Sequence, residues 1–198
     1  MDAARAVAAA ARSATDPGVT VIFDRDIRNR VSVPQPMPPR AVPTTIAVGP
    51  VRWRELAAAA RVQRRAFRPP LAYGLTTLIA LRALPHVHFL VARRGDEIVG
   101  CAIGDRNEGT TRVINLAVDP DARRQGVGTA LLRALEDKLP RGNILLMVEA
   151  ENLTAQALYR REGYLPVGNA ADYYGRGRSG IWMQKQRGDA SERPKLRV

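Results

Sequence analysis

One cysteine and two histidines are all that this chain of 198 residues has of the thiol and imidazole side chains that cross-link proteins or anchor transition metals. Cys101 has no partner for an internal disulfide, in keeping with a reducing compartment, and its place in an apolar, strand-like run points to burial rather than reactivity. His86 and His88 have the alternate spacing of a ligand pair. With no further histidine and one distant cysteine the set is incomplete, so no metal is expected. Apolar runs are short as well. None approaches the roughly 18 residues that cross a bilayer, and nothing near the N-terminus has the apolar core of a secretory signal. A soluble, cytoplasmic protein with no membrane partner is the expectation. Lysine is also scarce: 3 lysines stand beside 28 arginines in a chain of net charge +12.

The arginines cluster. From Arg52 to Arg82 there are seven of them and a single acid, Glu55. Such a face attracts anions, among them CoA, an acidic peptide or RNA. No aromatic residues interleave with these arginines as a stacking platform for bases would require, and solvated helix faces in an arginine- and alanine-rich composition account for the pattern. Nucleic acid is therefore not expected as a partner.

The length suits one domain, which at this size buries roughly 70% of the surface an unfolded chain exposes. Residues 1–43 read as an N-terminal extension, 44–186 as the domain and 187–198 as a basic tail. In the extension, residues 1–15 are rich in alanine and helix-prone, yet bury little area per residue. Their arginines and lone acid also allow an organelle transit peptide. Val19 to Phe23 has strand composition, and five prolines among residues 33–43 make an extended linker.

Within the domain, Thr45 to Val48 reads as a strand and Val51 to Phe67 as a helix with Trp53, Leu56, Ala60 and Phe67 on one face. A second helix spans about Leu71 to Leu84, before Pro85. Phe89 to Ala92 and Ile98 to Ile103 are strands joined by a hairpin over residues 93–97, leading into a central strand at Val113 to Val118. A helix from Val127, a strand at Ile144 to Val148, a helix from Leu153 to Glu162 and a last strand at Ile181 to Lys185 complete an alternating, α/β pattern.

The chemistry gathers at the central strand. After Val118 the chain is stopped by Asp119-Pro120 and passes through Arg123-Arg124-Gln125-Gly126-Val127-Gly128 into a helix whose apolar stripe is Val127, Ala130, Leu131, Ala134 and Leu135. Both glycines fall in the first helical turn. A helix N-terminus has unpaired amides pointing outward, and glycine lets a ligand approach them without meeting a Cβ. With two arginines beside it, such a turn suits a pyrophosphate. By itself a short glycine motif is more often a turn with solvated arginines.

The surrounding residues resemble the GNAT superfamily of acyl-CoA N-acyltransferases. Arg123, Gly126 and Gly128 fit its loop signature, Asn115-Leu116-Ala117-Val118 with Asp119-Pro120 precedes it, and Asn152, Ala155, Leu158, Tyr159, Gly163 and Tyr164 fit a second signature in register. The likeness runs from about Ile46 to Lys185 and, within the superfamily, is nearest to protein N-terminal and ribosomal-protein alanine acetyltransferases. It implies a mixed β-sheet flanked by helices, with two central strands splayed apart to admit the pantetheine arm of acetyl-CoA. The implied cofactor contacts are Leu116, Ala117 and Val118 on the strand, Arg123, Arg124, Gln125, Gly126, Val127, Gly128 and Thr129 at the loop, and Asn152 and Tyr159 on the later helix. A backbone amide near Leu116 or Val118 would polarise the thioester carbonyl.

Tyr159 is the implied general acid, a phenol that with its ordinary pKa of about 10 carries its proton at neutral pH. Read from periodicity alone, it is a core tyrosine in the stripe Ala155, Leu158, Tyr159. The base is less defined. Met147 stands where the N-terminal acetyltransferases often carry glutamate, and Glu149 and Glu151 alternate onto the same side of the strand, so Glu149 is either the base, directly or through water, or a solvated carboxylate. Asn152 also suits a helix cap. Asp172-Tyr173-Tyr174-Gly175 resembles the tyrosine-pair hairpin that holds a substrate peptide, although Ser179 replaces the usual acid before the last strand; without the resemblance it is an aromatic patch fit for a homodimer contact. The expected activity is acetyl transfer from acetyl-CoA to an amine, first a protein α-amine, with a small amine as alternative and a non-catalytic CoA-sensing or RNA-binding module as the contrasting class.

Overall fold

β-Branched and apolar residues in short runs, separated by glycine turns, build the sheet of this computed structural model, which describes residues 45–187 except 70 and 108. The strands are β1 (Ile46–Pro50), β2 (Val87–Arg94), β3 (Glu97–Asn107), β4 (Thr110–Val118), β5 (Ile144–Glu149), β6 (Leu165–Ala170) and β7 (Gly180–Lys185). The α-helices are α1 (Leu56–Ala66), α2 (Leu75–Ala83), α3 (Val127–Lys138) and α4 (Leu153–Arg161). The alanine-rich segment 1–15, the strand-like Val19 to Phe23, the proline-rich residues 33–43 and the tail beyond 187 lie outside the described residues.

The seven strands form one mixed sheet in the order β1-β2-β3-β4-β5-β7-β6. β1 to β4 are an antiparallel meander, β5 joins β4 in parallel, and β7 lies antiparallel between β5 and β6. One face is covered by α3, whose Val127, Leu131, Leu132 and Leu135 are buried with Leu90, Val113, Ile144 and Leu146. The other carries α1 and α2, whose Leu56, Ala59, Ala60, Val62 and Leu78 pack on Phe89, Val91, Cys101, Ile103 and Ala117. Each fully buried leucine contributes roughly 1.5–3 kcal/mol.

Four departures from the sequence expectation have physical causes. Strand β6 was not foreseen: Pro166 and Gly168 interrupt its alternation, its register against β7 shifts between them, and it survives as an edge strand, the place where proline is tolerated. The alternation of helices and strands therefore ends in an antiparallel β6–β7 pair. Trp53 is not on the buried face of the first helix. It lies in a short 3-10 turn, 57% exposed, with the Arg82 guanidinium 5.2 Å from its ring. The second helix starts only at Leu75 with Gly74 as N-cap, leaving Tyr73 in the connection.

Candidate functional site

β4 and β5 pair only from Thr111–Val113 to Ile144–Leu146. Beyond that, Ile114–Val118 and Met147–Glu149 continue without pairing to each other, while β4 stays bonded to β3 and β5 to β7 on their outer edges. The pairing of β3 with β4 slips between Ile103 and Gly104, where Ile114 is the extra residue. Such a bulge bends its strand, and it opens the sheet here. Backbone N–H and C=O groups along the split have no sheet partner across it. Leu116, Ala117 and Val118 all lie on this free stretch, so the expected splay is present.

At the end of β4, Asp119 accepts a hydrogen bond from the Asp121 amide at 3.0 Å and starts a turn over Pro120–Ala122. Arg65 of α1 holds this turn through Asp119 at 2.9 Å and Asp121 at 2.8 Å. Arg124, with φ +63°, and Gly126, with φ +79°, turn the chain into α3. Gly126 is thus the N-cap rather than a residue of the first turn. The first intrahelical bond runs from the Ala130 amide to the Gly126 carbonyl at 3.0 Å, so the amides of Val127, Gly128 and Thr129 precede the ladder and are free to meet an anion. A Cβ on Gly126 would meet open space, whereas one on Gly128 would come within 3.2 Å of Leu158 of α4. The loop is fastened from outside. Arg123 turns back to donate to the Val118 and Ala66 carbonyls at 3.3 Å, and Gln125 donates to the Asp121 carbonyl at 3.0 Å. Arg124 is left exposed at the loop apex.

On the β5 side, Asn152 caps α4, its side chain accepting from the Ala155 amide at 3.0 Å. The Thr129 hydroxyl accepts from Arg161 at 3.3 Å, tying α3 to α4. The Tyr159 ring is buried against Tyr164 in an edge-to-face pair with centroids 5.8 Å apart. Its hydroxyl makes no hydrogen bond among the described residues, where no sealed side-chain oxygen lacks a partner. The oxygen is therefore not fully sealed, while the ring is enclosed. Burial, reinforced by the nearby Tyr174, pushes the Tyr159 phenol above its ordinary range, so it keeps its proton at neutral pH.

Tyr174 donates to the Met147 carbonyl at 3.2 Å, at the split, and its ring meets that of Tyr173 at 5.0 Å. Burial first, then the charges of Tyr173 and Glu149, push the Tyr174 phenol up to about 12. Glu149 is not a free carboxylate: Arg178 donates to it at 2.7 Å and to the Tyr174 carbonyl at 3.2 Å, which fixes the tyrosine turn to the end of β5. Glu151 falls beyond the strand, in the turn to α4, so the alternation expected to carry it onto the face of Met147 ends at Glu149.

The split strand and the open helix start lie in a segment of chain that also matches known proteins, and the tyrosine turn follows that segment. Residues 53–164 match the acetyltransferase (GNAT) family. The chain belongs to this family. An N-alpha-acetyltransferase RimI of Mycobacterium tuberculosis is 37% identical over 129 residues, 62% of this chain and 78% of its own length. A [ribosomal protein bS18]-alanine N-acetyltransferase of Escherichia coli is 31% identical over 123 residues, 61% and 81% of the two chains. The crystal structure of the ribosomal-protein-S18-alanine N-acetyltransferase from Escherichia coli superposes with a TM-score of 0.66 at 25% identity, over 75% of this chain and 98% of that one. The GNAT fold and N-acetyltransferase class expected from the sequence are those found, and GNAT enzymes take their acyl group from acetyl-CoA. No helix among the described residues is long and apolar enough to cross a membrane.

Two residues beside the Tyr173-Tyr174 turn escaped the sequence reading. Tyr73, between α1 and α2, is near enough to Tyr173 for that charge, after burial, to raise its phenol, and it acts on Tyr174 in turn. Arg178 was one arginine among many. Neither has a local signal, since each acquires its partner only when the β6–β7 turn folds over β5.

Proposed function

We propose that this GNAT acetyltransferase moves an acetyl group from acetyl-CoA directly to a primary amine, and that the amine is the N-terminal α-amine of a polypeptide. Fit to the donor is supported by two features: the split between β4 and β5, whose unpaired backbone groups match the amides of a pantetheine arm, and the Gly126 turn, where a Cβ would occupy otherwise open space beside free amides. The residues that would hold it are Leu116, Ala117 and Val118 along β4, Arg123, Arg124, Gln125, Gly126, Val127, Gly128 and Thr129 at the loop, and Asn152 and Tyr159 on α4. Acetyl-CoA, when bound, supplies an acyl carbon activated as a thioester.

In this reading the Tyr159 hydroxyl gives its proton to the departing sulfur, and a backbone N–H of Leu116 or Val118 polarises the carbonyl oxygen. The amine nitrogen loses a proton as it bonds to the acyl carbon, and Glu149 takes it through a water while keeping its Arg178 partner. Tyr173 and Tyr174 hold the acceptor. The observation that carries the peptide reading is the Tyr173-Tyr174 turn anchored at the mouth of the split through Met147 and Glu149. The names of the two curated relatives, which act on an α-amine or on an alanine of a ribosomal protein, point the same way. Purified protein with acetyl-CoA and panels of peptides and small amines, followed by release of free thiol, tests it. Turnover of peptides bearing a free N-terminus is expected; turnover of small amines alone would replace this acceptor.

A further inference from the structure

The most enclosed polar group on α1 is an amide. Gln63 is fully buried on a helix face otherwise made of Leu56, Ala59, Ala60 and Val62. A buried amide is costly unless its hydrogen bonds are made. Here they are made to β4 and β3. Gln63 Nε2 donates to Asn115 Oδ1 at 2.6 Å, Asn115 Nδ2 donates back to Gln63 Oε1 at 3.2 Å, and Gln63 Nε2 also lies 3.2 Å from Cys101 Sγ. Neither the fold nor the proposed chemistry uses this pair.

Its location gives it a use. Asn115 is the first residue beyond the Ile114 bulge, at the point where β4 has lost β5 as a partner. The stretch that follows, Leu116 to Val118, is held along one edge only, by β3. A strand so held has freedom to slide or tilt into the split. The reciprocal amide pair ties its root to α1, a helix whose C-terminal end is itself bound to the loop through Arg65 to Asp119 and Arg123 to the Ala66 carbonyl. An apolar pair of the same size would fill the space but would fix no direction.

We propose that Gln63 is a positioning residue: through Asn115 it sets where the free backbone of Leu116–Val118 stands relative to the acyl carbonyl, and so acts on the chemical step rather than on binding. This rests on acetyl-CoA being the donor that lies along β4. The test compares the unaltered protein with Gln63→Leu, Asn115→Leu, the double Leu variant and the exchanged pair Gln63→Asn/Asn115→Gln. Melting temperature, kcat and KM for the accepted amine, and hydrogen exchange of the 114–118 amides with and without acetyl-CoA are followed.

Each single Leu variant leaves a buried amide unpaired and is expected to melt several degrees lower. The double variant removes both partners, regains most of that loss, and still turns over at least roughly tenfold more slowly with KM little changed and with weaker acetyl-CoA-dependent protection of residues 114–118. The exchanged pair restores the mutual amide bonds and recovers turnover to within a few-fold. If the double Leu variant regains both melting temperature and kcat, the pair is only core packing and the proposal is overturned. Should that variant not fold, Gln63→Met, which keeps length and apolar fill, decides: unchanged kcat and protection sink the idea, and loss of both supports it. If the unaltered protein acetylates no peptide, the acceptor reading fails, while the exchange measurement still decides on the tie.

Discussion

At the scale of the residue, Tyr159 carries the sharpest expectation, because its ring and its hydroxyl do separable things. The ring packs on Tyr164, and the hydroxyl has no hydrogen-bond partner among the described residues. Tyr159→Phe keeps the packing and removes the proton. General acid assistance is typically worth 10²–10⁴-fold, so turnover should fall by at least roughly tenfold, the discount allowing for a thiolate that leaves unaided. Acetyl-CoA affinity and melting temperature should hardly move. A variant that melts earlier but turns over normally would make Tyr159 a core residue without a catalytic part. Glu149 resists such separation, since the carboxylate that would accept the amine proton also anchors the tyrosine turn through Arg178.

At the scale of the element, the start of α3 is the part most exposed to a single change. Gly126 has φ +79°, a conformation that costs a residue with a Cβ about 1–2 kcal/mol, yet the space around it is open. Gly126→Glu should therefore fold with a melting temperature lower by only a few degrees. It would put a carboxylate where an anion is expected. Two like charges about 4 Å apart near a protein surface repel by about 4 kcal/mol, enough to weaken acetyl-CoA binding by roughly 100-fold or more. Gly126→Asn, which tolerates the left-handed region and adds no charge, serves as control and should bind within a few-fold of the unaltered protein. Calorimetric titration of both decides; equal affinities would remove this turn from the anion's path. Gly128 is a poorer probe, because a side chain there also presses on Leu158.

At the scale of the whole molecule, the buried acids predict an alkaline limit. Burial pushes the Cys101 thiol up to about 12 and the Tyr174 phenol up to about 12, and drives Tyr159 and Tyr164 upward as well. In each case the folded state holds the proton more tightly than the unfolded chain. Stability from this source is complete below the ordinary values, 9.0 for the thiol and 10.0 for the phenols, and is lost as pH rises from there towards the folded values. With 3 lysines among 31 basic residues, the cationic charge hardly changes over that window, so charge repulsion does not mask the effect. Melting temperatures at pH 8, 10 and 11 should decline, with tyrosinate absorbance rising together with unfolding; a flat profile to pH 11 would contradict it. The arginines of α1 divide at this scale. Arg65 is committed to Asp119 and Asp121, while Arg61 and Arg64 face solvent.

What the sequence determined by itself is what its local signals encode. The loop from Asp119 to Gly126, the stripe of α3, the Asn152 cap and the hairpin between β2 and β3 depend on residues within a turn or two of one another, where periodicity, caps and glycine dihedrals act. Tertiary structure alone decided the rest. Placing β7 between β5 and β6, and keeping β6 as a strand at all, needed a sheet edge that could tolerate Pro166. The bulge at Ile114, which opens the split, depends on the register against β3. Gln63 meets Asn115 across 52 residues and Glu149 meets Arg178 across 29. A polar side chain satisfied at such separation has no local alternative to reveal it, because its partner is chosen by which strand faces which helix once apolar burial has set their positions.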